Sequence, residues 1–371
     1  MFTDAKIIAV DADPNLYHKQ PDVRGSAKFE MSSSSLRSFW ASPSKWVEPI
    51  RAQDGTITYY EHPGSKSTEW GNLFDCVLLT PSQFESRYAV SPAQYDATEN
   101  TCPGCGSVAP AKRCKACDTE RLPKLVQKPW SGQSGHCKKW KETREAEGKT
   151  VCSHKEYYDV QQAVARFRRD PHLCRFIDCS QRQVWITAIW VDKETGLSVP
   201  VKCLIDVVPT VGSELEKALG DVKTCKSAAR SAWESWCHAA GYEVQAAWNT
   251  DMLVAASGGR EITEFRFLLS ENTAPWEPGR RTMTNELIDP ERDMGDIASG
   301  RRQYRRIMAA YCKCLKTGKW PGYDDHEDAY DGWTIITPNP YKEMARDEAP
   351  KLLFGEEPDP EEGEPEPDLI P

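Results

Sequence analysis

The sequence predicts a mixed α/β protein (α/β or α+β), with helices flanking a small mixed sheet. Three observations lead there. Residues 183–208, QVWITAIWVDKETGLSVPVKCLIDVV, hold two alternating β-branched runs, the pattern of paired strands. Apolar residues at helical spacing before and after that stretch mark several helices. Finally, 371 residues, 39% of them hydrophobic, can bury a sizeable core in one large domain or two to three small ones.

Taken in order, the chain reads as extended to about Phe29. SSSSLRSFWASP then offers Ser35 as an N-cap ahead of Leu36, Phe39 and Trp40, with Pro43 as the stop. Trp70 to Leu79 is an apolar stretch interrupted by one charge, Asp75, which predicts a buried helix. A polar loop leads to a cysteine-bearing segment from Thr101 to about Leu122, inserted between ordinary elements. Residues 136–170 read as helical with a break near Gly148. The two β-branched runs follow, joined as a hairpin over Asp192 to Gly196. Leu219 to Thr224 is a further short strand. Lys226 to Ala240 places Ala229, Trp233, Trp236 and Ala240 on one helical stripe, and Gly241 stands where a helix ends. A second helix from Tyr242 to about Ala255, a strand from Glu264 to Leu269 and a long helix from Asp296 to Leu315 complete the order. No internal repeat is present.

Composition narrows the function classes. No apolar run approaches the ~18 residues a membrane span needs, and the first residues lack the basic-then-apolar order of a signal peptide, so a soluble cytoplasmic protein is expected. The net charge of −9 is concentrated in GEEPDPEEGEPEPDLIP at the end, whose eight acidic side chains leave −1 on the remainder. That tail is too poor in apolar residues to offset chain entropy and is expected to be disordered. A nearly neutral body with clusters such as Arg166, Arg168 and Arg169 does not exclude nucleic acid. Arg301 to Arg306 reads equally as a phosphate contact or a solvated helix face. Thirteen tryptophans imply either a large aromatic core or flat faces for bases.

Three pieces carry chemistry. Asp206 ends the second hairpin strand, and Asp221 and Lys223 sit two apart on the next strand and so share a face. Tyr242 and Gln245 stand one helical turn apart on a following helix. If the strands are neighbours, two carboxylates and a lysine meet. Hard divalent cations such as Mg²⁺ (or Mn²⁺) take oxygen ligands and keep open positions for a phosphate and a water, while a lysine can orient or activate that water.

SSSSLRSFWASPSKW, WGNLFDCVLLTPSQFESRYAV, the hairpin leading into KCLID, GDVKT, GYEVQAAW and KWPGY occur in an order that resembles the RecE-like (exonuclease VIII type) phage exonucleases of the PD-(D/E)XK nuclease superfamily. The resemblance runs from about Tyr17 to Tyr323 and omits the cysteine segment and the tail. It implies a restriction-endonuclease-like core that degrades linear double-stranded DNA from its 5′ end with Mg²⁺. It also implies a ring-shaped homo-oligomer, a single-strand annealing recombinase as partner, and a place in phage-type homologous recombination in the bacterial host cytoplasm. Carried over by position, Asp206 and Asp221 become metal ligands, Lys223 the motif lysine, and Gln245 with Tyr242 the helix motif. The chain departs from the family in carrying Asp75 where a histidine is common, Leu204 where an arginine is common, and no acidic residue near Gln183 or Trp185. Asp75 is then a third carboxylate for the metal.

Cys102, Cys105, Cys114 and Cys117 form two CxxC pairs eight residues apart, a spacing that closes a tetrahedron around Zn²⁺ at about 2.3 Å per sulfur. An iron–sulfur cluster is the rival occupant. A segment this short has little core of its own, so the metal would supply its folding energy. Its function would be to touch DNA or a neighbouring subunit through Lys112, Arg113 and Lys115. His136, Cys137, Cys152 and His154 fall in helical text and read as packing or surface residues, as do Cys312 and Cys314. The expected organisation is residues 1–96 as the first part of a nuclease domain, 97–124 as the inserted metal module, 125–345 as the nuclease core and 346–371 as the acidic tail. The competing function is a zinc-ribbon DNA-binding or recombination-scaffold protein whose nuclease site has decayed.

Overall fold

The computed structural model describes residues 1–19, 23–51, 57–59, 66–284 and 296–322, so the expected acidic tail lies outside the described residues. The elements below belong to one unit, Met1–Trp320. The long hairpin forms as its alternation predicts. Asp192 accepts from Thr195 N (2.8 Å) and Thr195 Oγ1 (2.6 Å), Gly196 takes a φ of 75°, and the ladder runs from Val191 opposite Ser198 to Ser180 opposite Pro209.

Six strands make the main sheet: β1 (Phe2–Ala9), β2 (Ser180–Val191), β3 (Ser198–Pro209), β4 (Ala218–Cys225), β5 (Glu264–Glu271) and β6 (Pro278–Thr284). They lie in chain order, and only β4 and β5 run parallel. The helices are α1 (Ser33–Ala41), α2 (Lys66–Leu79), α3 (Gly135–Ala146), α4 (His154–Phe167), α5 (Pro171–Asp178), α6 (Arg230–Ala239), α7 (Tyr242–Ala256) and α8 (Asp296–Thr317), with single turns between some of them. The fold is mixed α/β, as the sequence predicts. One apolar cluster joins the sheet to α1, α6, α7 and α8 through Leu36, Ile205, Trp248 and Met308. The other joins it to α2, α4 and α5 through Phe74, Phe167, Phe176 and Val222. Hydrophobic burial on both faces therefore holds the sheet between two helical layers.

α7 is the central helix. It is buried on nearly every side, from Tyr242 through Thr250, because α8 covers the flank that the sheet leaves open. The crossing is close: a Cβ on Gly300 of α8 would fall 1.9 Å from Glu243 O, so only glycine fits there.

Local details correct the sequence reading in four places. Extended chain ends with β1, after which Asp13 caps a helical turn at Pro14–Tyr17 by accepting from Asn15 N. Ser32, not Ser35, caps α1, since Ser32 is the extended residue and its hydroxyl accepts from Ser35 N at 3.3 Å. Residues 136–170 contain a short strand, Thr150–Cys152, where Gly148 at φ 79° reverses the chain. On α6, which starts at Arg230, the buried stripe is Trp233 and Cys237, while Trp236 is 43% exposed and lies edge-on to the Trp233 and Tyr242 rings.

Candidate active site

The sheet opens where β3 meets β4. The two strands pair at Gly220 and Val207, and past that pair the Val222 N–H donates to the Asp206 carboxylate (2.8 Å) in place of a ladder carbonyl. Asp206 is thereby held at the edge of the split. On β4, Asp221 and Lys223 lie on the face toward α7, and Lys223 Nζ stands 2.5 Å from Asp221 Oδ2. α7 supplies the next layer: Gln245 Nε2 donates to Asp221 Oδ1 at 2.6 Å, and the Tyr242 ring lies 5.1 Å from the Lys223 ammonium. The same ring meets the Arg37 guanidinium at 5.4 Å, and Arg37 Nη1 donates to Ala240 O. Asp75, Asp206, Asp221, Lys223, Tyr242 and Gln245 are thus brought to one place, Asp75 coming from α2 on the far side of the sheet's split.

Burial sets the electrostatics. It raises the Asp206 carboxyl to about 7, with the charge of Asp221 adding to the rise. Asp75 is pushed up by burial and then by Asp206, against the pull of Lys223. Burial works against the Lys223 charge, but Asp221 foremost outweighs it and holds the ammonium above its ordinary range. Burial thus favours the neutral forms of Asp75 and Asp206, while Asp221 is paired with the Lys223 ammonium.

The cleft over this site has a volume of about 420 Å³ and is lined by Asp75 and Asp206 together with Glu69, Arg87, Gln183 and Leu204. Glu69, Arg87 and Gln183 have no role in the sequence reading. Gln183, at a φ of 45°, falls between the register pairs Arg182–Val207 and Val184–Ile205 and donates its Nε2 to Asp206 Oδ1 at 3.2 Å. Counting pairs back from Val191 and Ser198 would have found it. The register sets Trp185 opposite Leu204. Arg87 gives no sequence signal; its buried Nε has no hydrogen-bond acceptor among the described residues.

The residues suit a hard divalent cation. Asp75 Oδ1, Gln183 Oε1 and Gln245 Oε1 are buried acceptors with no donor among the described residues, and oxygen is the donor type such a cation takes. Among the described residues the carboxylate oxygens do not gather as closely as the cysteine sulfurs; Val222 N–H and Gln183 engage Asp206, and Lys223 engages Asp221.

The four cysteines form the tightest ligand group among the described residues, with all four sulfurs within 4.8 Å of one another. Two like turns build it. Cys102 N donates to Ser107 O and Cys114 N to Thr119 O, and a left-handed residue follows each second cysteine, Gly106 at φ 70° and Asp118 at φ 50°. Asp118 is held there by Arg113 Nε (2.7 Å) and Nη2 (3.1 Å). The Ser107 hydroxyl, then the backbone N–H groups of Cys117 and Ala116, lower the Cys114 thiol to about 6, while neighbouring Cys105 raises Cys117 to about 12. One sulfur is therefore ready to bind as thiolate at neutral pH. His136 stacks on Tyr95, and Cys137 and Cys152 are buried, so neither pair contributes a ligand to this group.

No family model and no curated relative matches the chain. Among solved structures, it is similar to a candidate exonuclease from Eubacterium rectale at 12% identity, covering 85% of this chain and 92% of that one, with a TM-score of 0.41. It is also similar to Candida albicans Rai1, solved in complex with pU5 and Mn²⁺, at 10% identity over 68% of this chain and 62% of that one, with a TM-score of 0.21. Likenesses at this level carry no argument, and the chemistry is read from the residues. Among the described residues no helix is long and apolar enough to cross a membrane.

Proposed function

We propose that this protein is a metal-dependent exonuclease that degrades linear double-stranded DNA, 5′ to 3′, in phage-type homologous recombination. One observation carries the reading: Asp75 and Asp206 line a cleft at a split in the sheet, with the Asp221–Lys223 pair and Gln245 behind them. The order of the RecE-like motifs along the chain supports the finer parts, including the 5′ end, the annealing-recombinase partner and a ring of subunits around the duplex.

Mg²⁺ held by Asp206, Asp221 and Asp75 would neutralise charge building on the scissile phosphodiester and lower the pKa of a water. The chain's own groups do the rest. Lys223 stays an ammonium, so it donates a hydrogen bond to the attacking water or the phosphate and does not take up a proton. Gln245 and the Tyr242 ring keep Asp221 and Lys223 from turning away. Gln183 does the same for Asp206.

At the cysteines we favour a structural zinc. Tetrahedral bonds of about 2.3 Å set sulfurs about 3.8 Å apart, close to the observed grouping, whereas an iron–sulfur cluster spreads its ligands around a wider body.

The test is incubation of linear and covalently closed circular duplex with and without Mg²⁺. The linear form should disappear only with Mg²⁺ while the circle persists. Nicking of the circle would refute exonuclease action. Binding without degradation of either form would favour the scaffold with a decayed site.

A further inference from the structure

The chain between Tyr88 and Thr150 leaves the cleft and comes back to it. Tyr88 and Thr150 both line the cleft and face each other as register partners of a short parallel pair, Tyr88–Val90 with Thr150–Cys152. From there the chain runs out along Gln94–Thr101, through the four cysteines, and back along Leu122–Pro129 into α3. The result is an arm rooted on the rim of the proposed active site.

Its charge is unlike that of the rest. Residues 88–150 hold eleven basic and seven acidic side chains, net +4, in a chain whose total is −9. Four thiolates around one divalent ion subtract two from that figure, so the arm stays positive when metallated. Some exposed cations are matched one helical turn away, as in Lys155 with Asp159, Arg230 with Glu234 and, on the arm, Lys141 with Glu145. On the arm, Arg113 is taken by Asp118 and Lys128 by Glu99. Lys112, Lys115, Lys124, Lys138 and Lys139 are exposed and have no carboxylate partner among the described residues.

The arm's aromatic rings decide what kind of nucleic acid suits it. Tyr95 stacks on His136 (5.6 Å) and Trp130 meets Trp140 edge-on (5.2 Å), so these rings cover one another at the arm's base. They are its small core and leave no free platform for unstacked bases. What remains is charge at a length. Strands of eight residues span about 27 Å, about eight base pairs of duplex at ~3.4 Å each.

We infer that the four-cysteine arm is a backbone-binding element that grips duplex DNA beyond the cleft, through lysine–phosphate contacts without sequence preference. The inference rests on the reading that the cleft takes DNA, and it assigns the hold on that DNA to residues outside the catalytic group.

The test measures binding of a labelled 40 base-pair duplex without added Mg²⁺, as a function of salt. Each lysine–phosphate contact adds about 0.9 to the log–log salt slope, so replacing all five lysines by glutamine should flatten the slope by up to about 4.5. Between 50 and 200 mM salt the parent protein should then lose about 500-fold more affinity than the variant. A matching five-fold Lys→Arg variant should keep the parental slope, which separates lost charge from a damaged arm. An unchanged slope in the glutamine variant overturns the inference, as does a flattened slope in the arginine variant. Because no cleavage is read, a protein that binds through the arm but never cuts would sink the exonuclease reading alone, and one that cuts with an unchanged slope would sink only the arm.

Discussion

Asp206 makes the metal-free protein sensitive to pH in a direction opposite to most carboxylates. Its carboxyl stands at about 7 in the fold against an ordinary 3.8. The folded state therefore holds a proton that the unfolded chain gives up, and the stability this supplies is complete below about pH 4 and lost as pH rises through 7. At 1.36 kcal/mol per pKa unit the shift amounts to about 4 kcal/mol, of which about 2 to 3 kcal/mol is lost between pH 5 and 7. Asp206→Asn keeps an acceptor for the Val222 N–H, and its amide can donate to Gln183 Oε1, which now has no donor among the described residues. Urea denaturation without added Mg²⁺ should find the two proteins similar at pH 4 and the variant more stable at pH 8 by a few kcal/mol, the sum of Asp206 burial and its repulsion from Asp221 and Asp75. Adding Mg²⁺ at pH 8 should stabilise the parent more than the variant, because a bound cation neutralises the carboxylate charge in place of the lost proton. A difference between parent and variant that stays constant from pH 4 to 8 would refute the reasoning.

The other predictions concern the same site and the cysteines. Asp221→Asn retains the Gln245 contact but removes a charge from the proposed metal site, and should lower DNA turnover at least about a hundredfold with little change in DNA affinity; near-normal turnover would remove Asp221 from catalysis. Asp75→Ala should raise the Mg²⁺ concentration giving half-maximal cleavage about tenfold, and an unshifted titration would take Asp75 out of the site. Elemental analysis should find one zinc per chain in a colourless protein, and Cys114→Ser should release it and expose the arm to proteolysis. Iron in a brown preparation would replace zinc with a cluster.

Much of the site is legible in the amino-acid sequence because two periods place it. Alternation sets Asp221 beside Lys223, and the helical turn sets Tyr242 above Gln245. The convergence of Asp206 with these needs only that β3 and β4 be neighbours, which chain order makes the simplest arrangement. What stays hidden depends on tertiary geometry. Arg87 reaches the cleft from the end of a single helical turn, Phe84–Arg87, too short to leave a periodic signal. The Gln94–Thr101 and Leu122–Pro129 strands lack apolar alternation, being QYDATENT and LPKLVQKP, and so read as loop; they pair along their whole length up to the cysteine turns. Four consecutive serines offer α1 several possible caps, and only the backbone conformation singles out Ser32.

At the neck of the arm, Val90 and Cys152 are partners in the parallel pair, about 4.8 Å apart across the strands. The ends of the excursion are therefore already near enough for a short link to join them. A lineage could gain, lose or exchange this appendage by an event at two points in the coding sequence, leaving the six strands and their carboxylates in place. For the same reason the neck is a natural grafting point: a different binding element installed there would change what the protein holds without disturbing the chemistry beneath it.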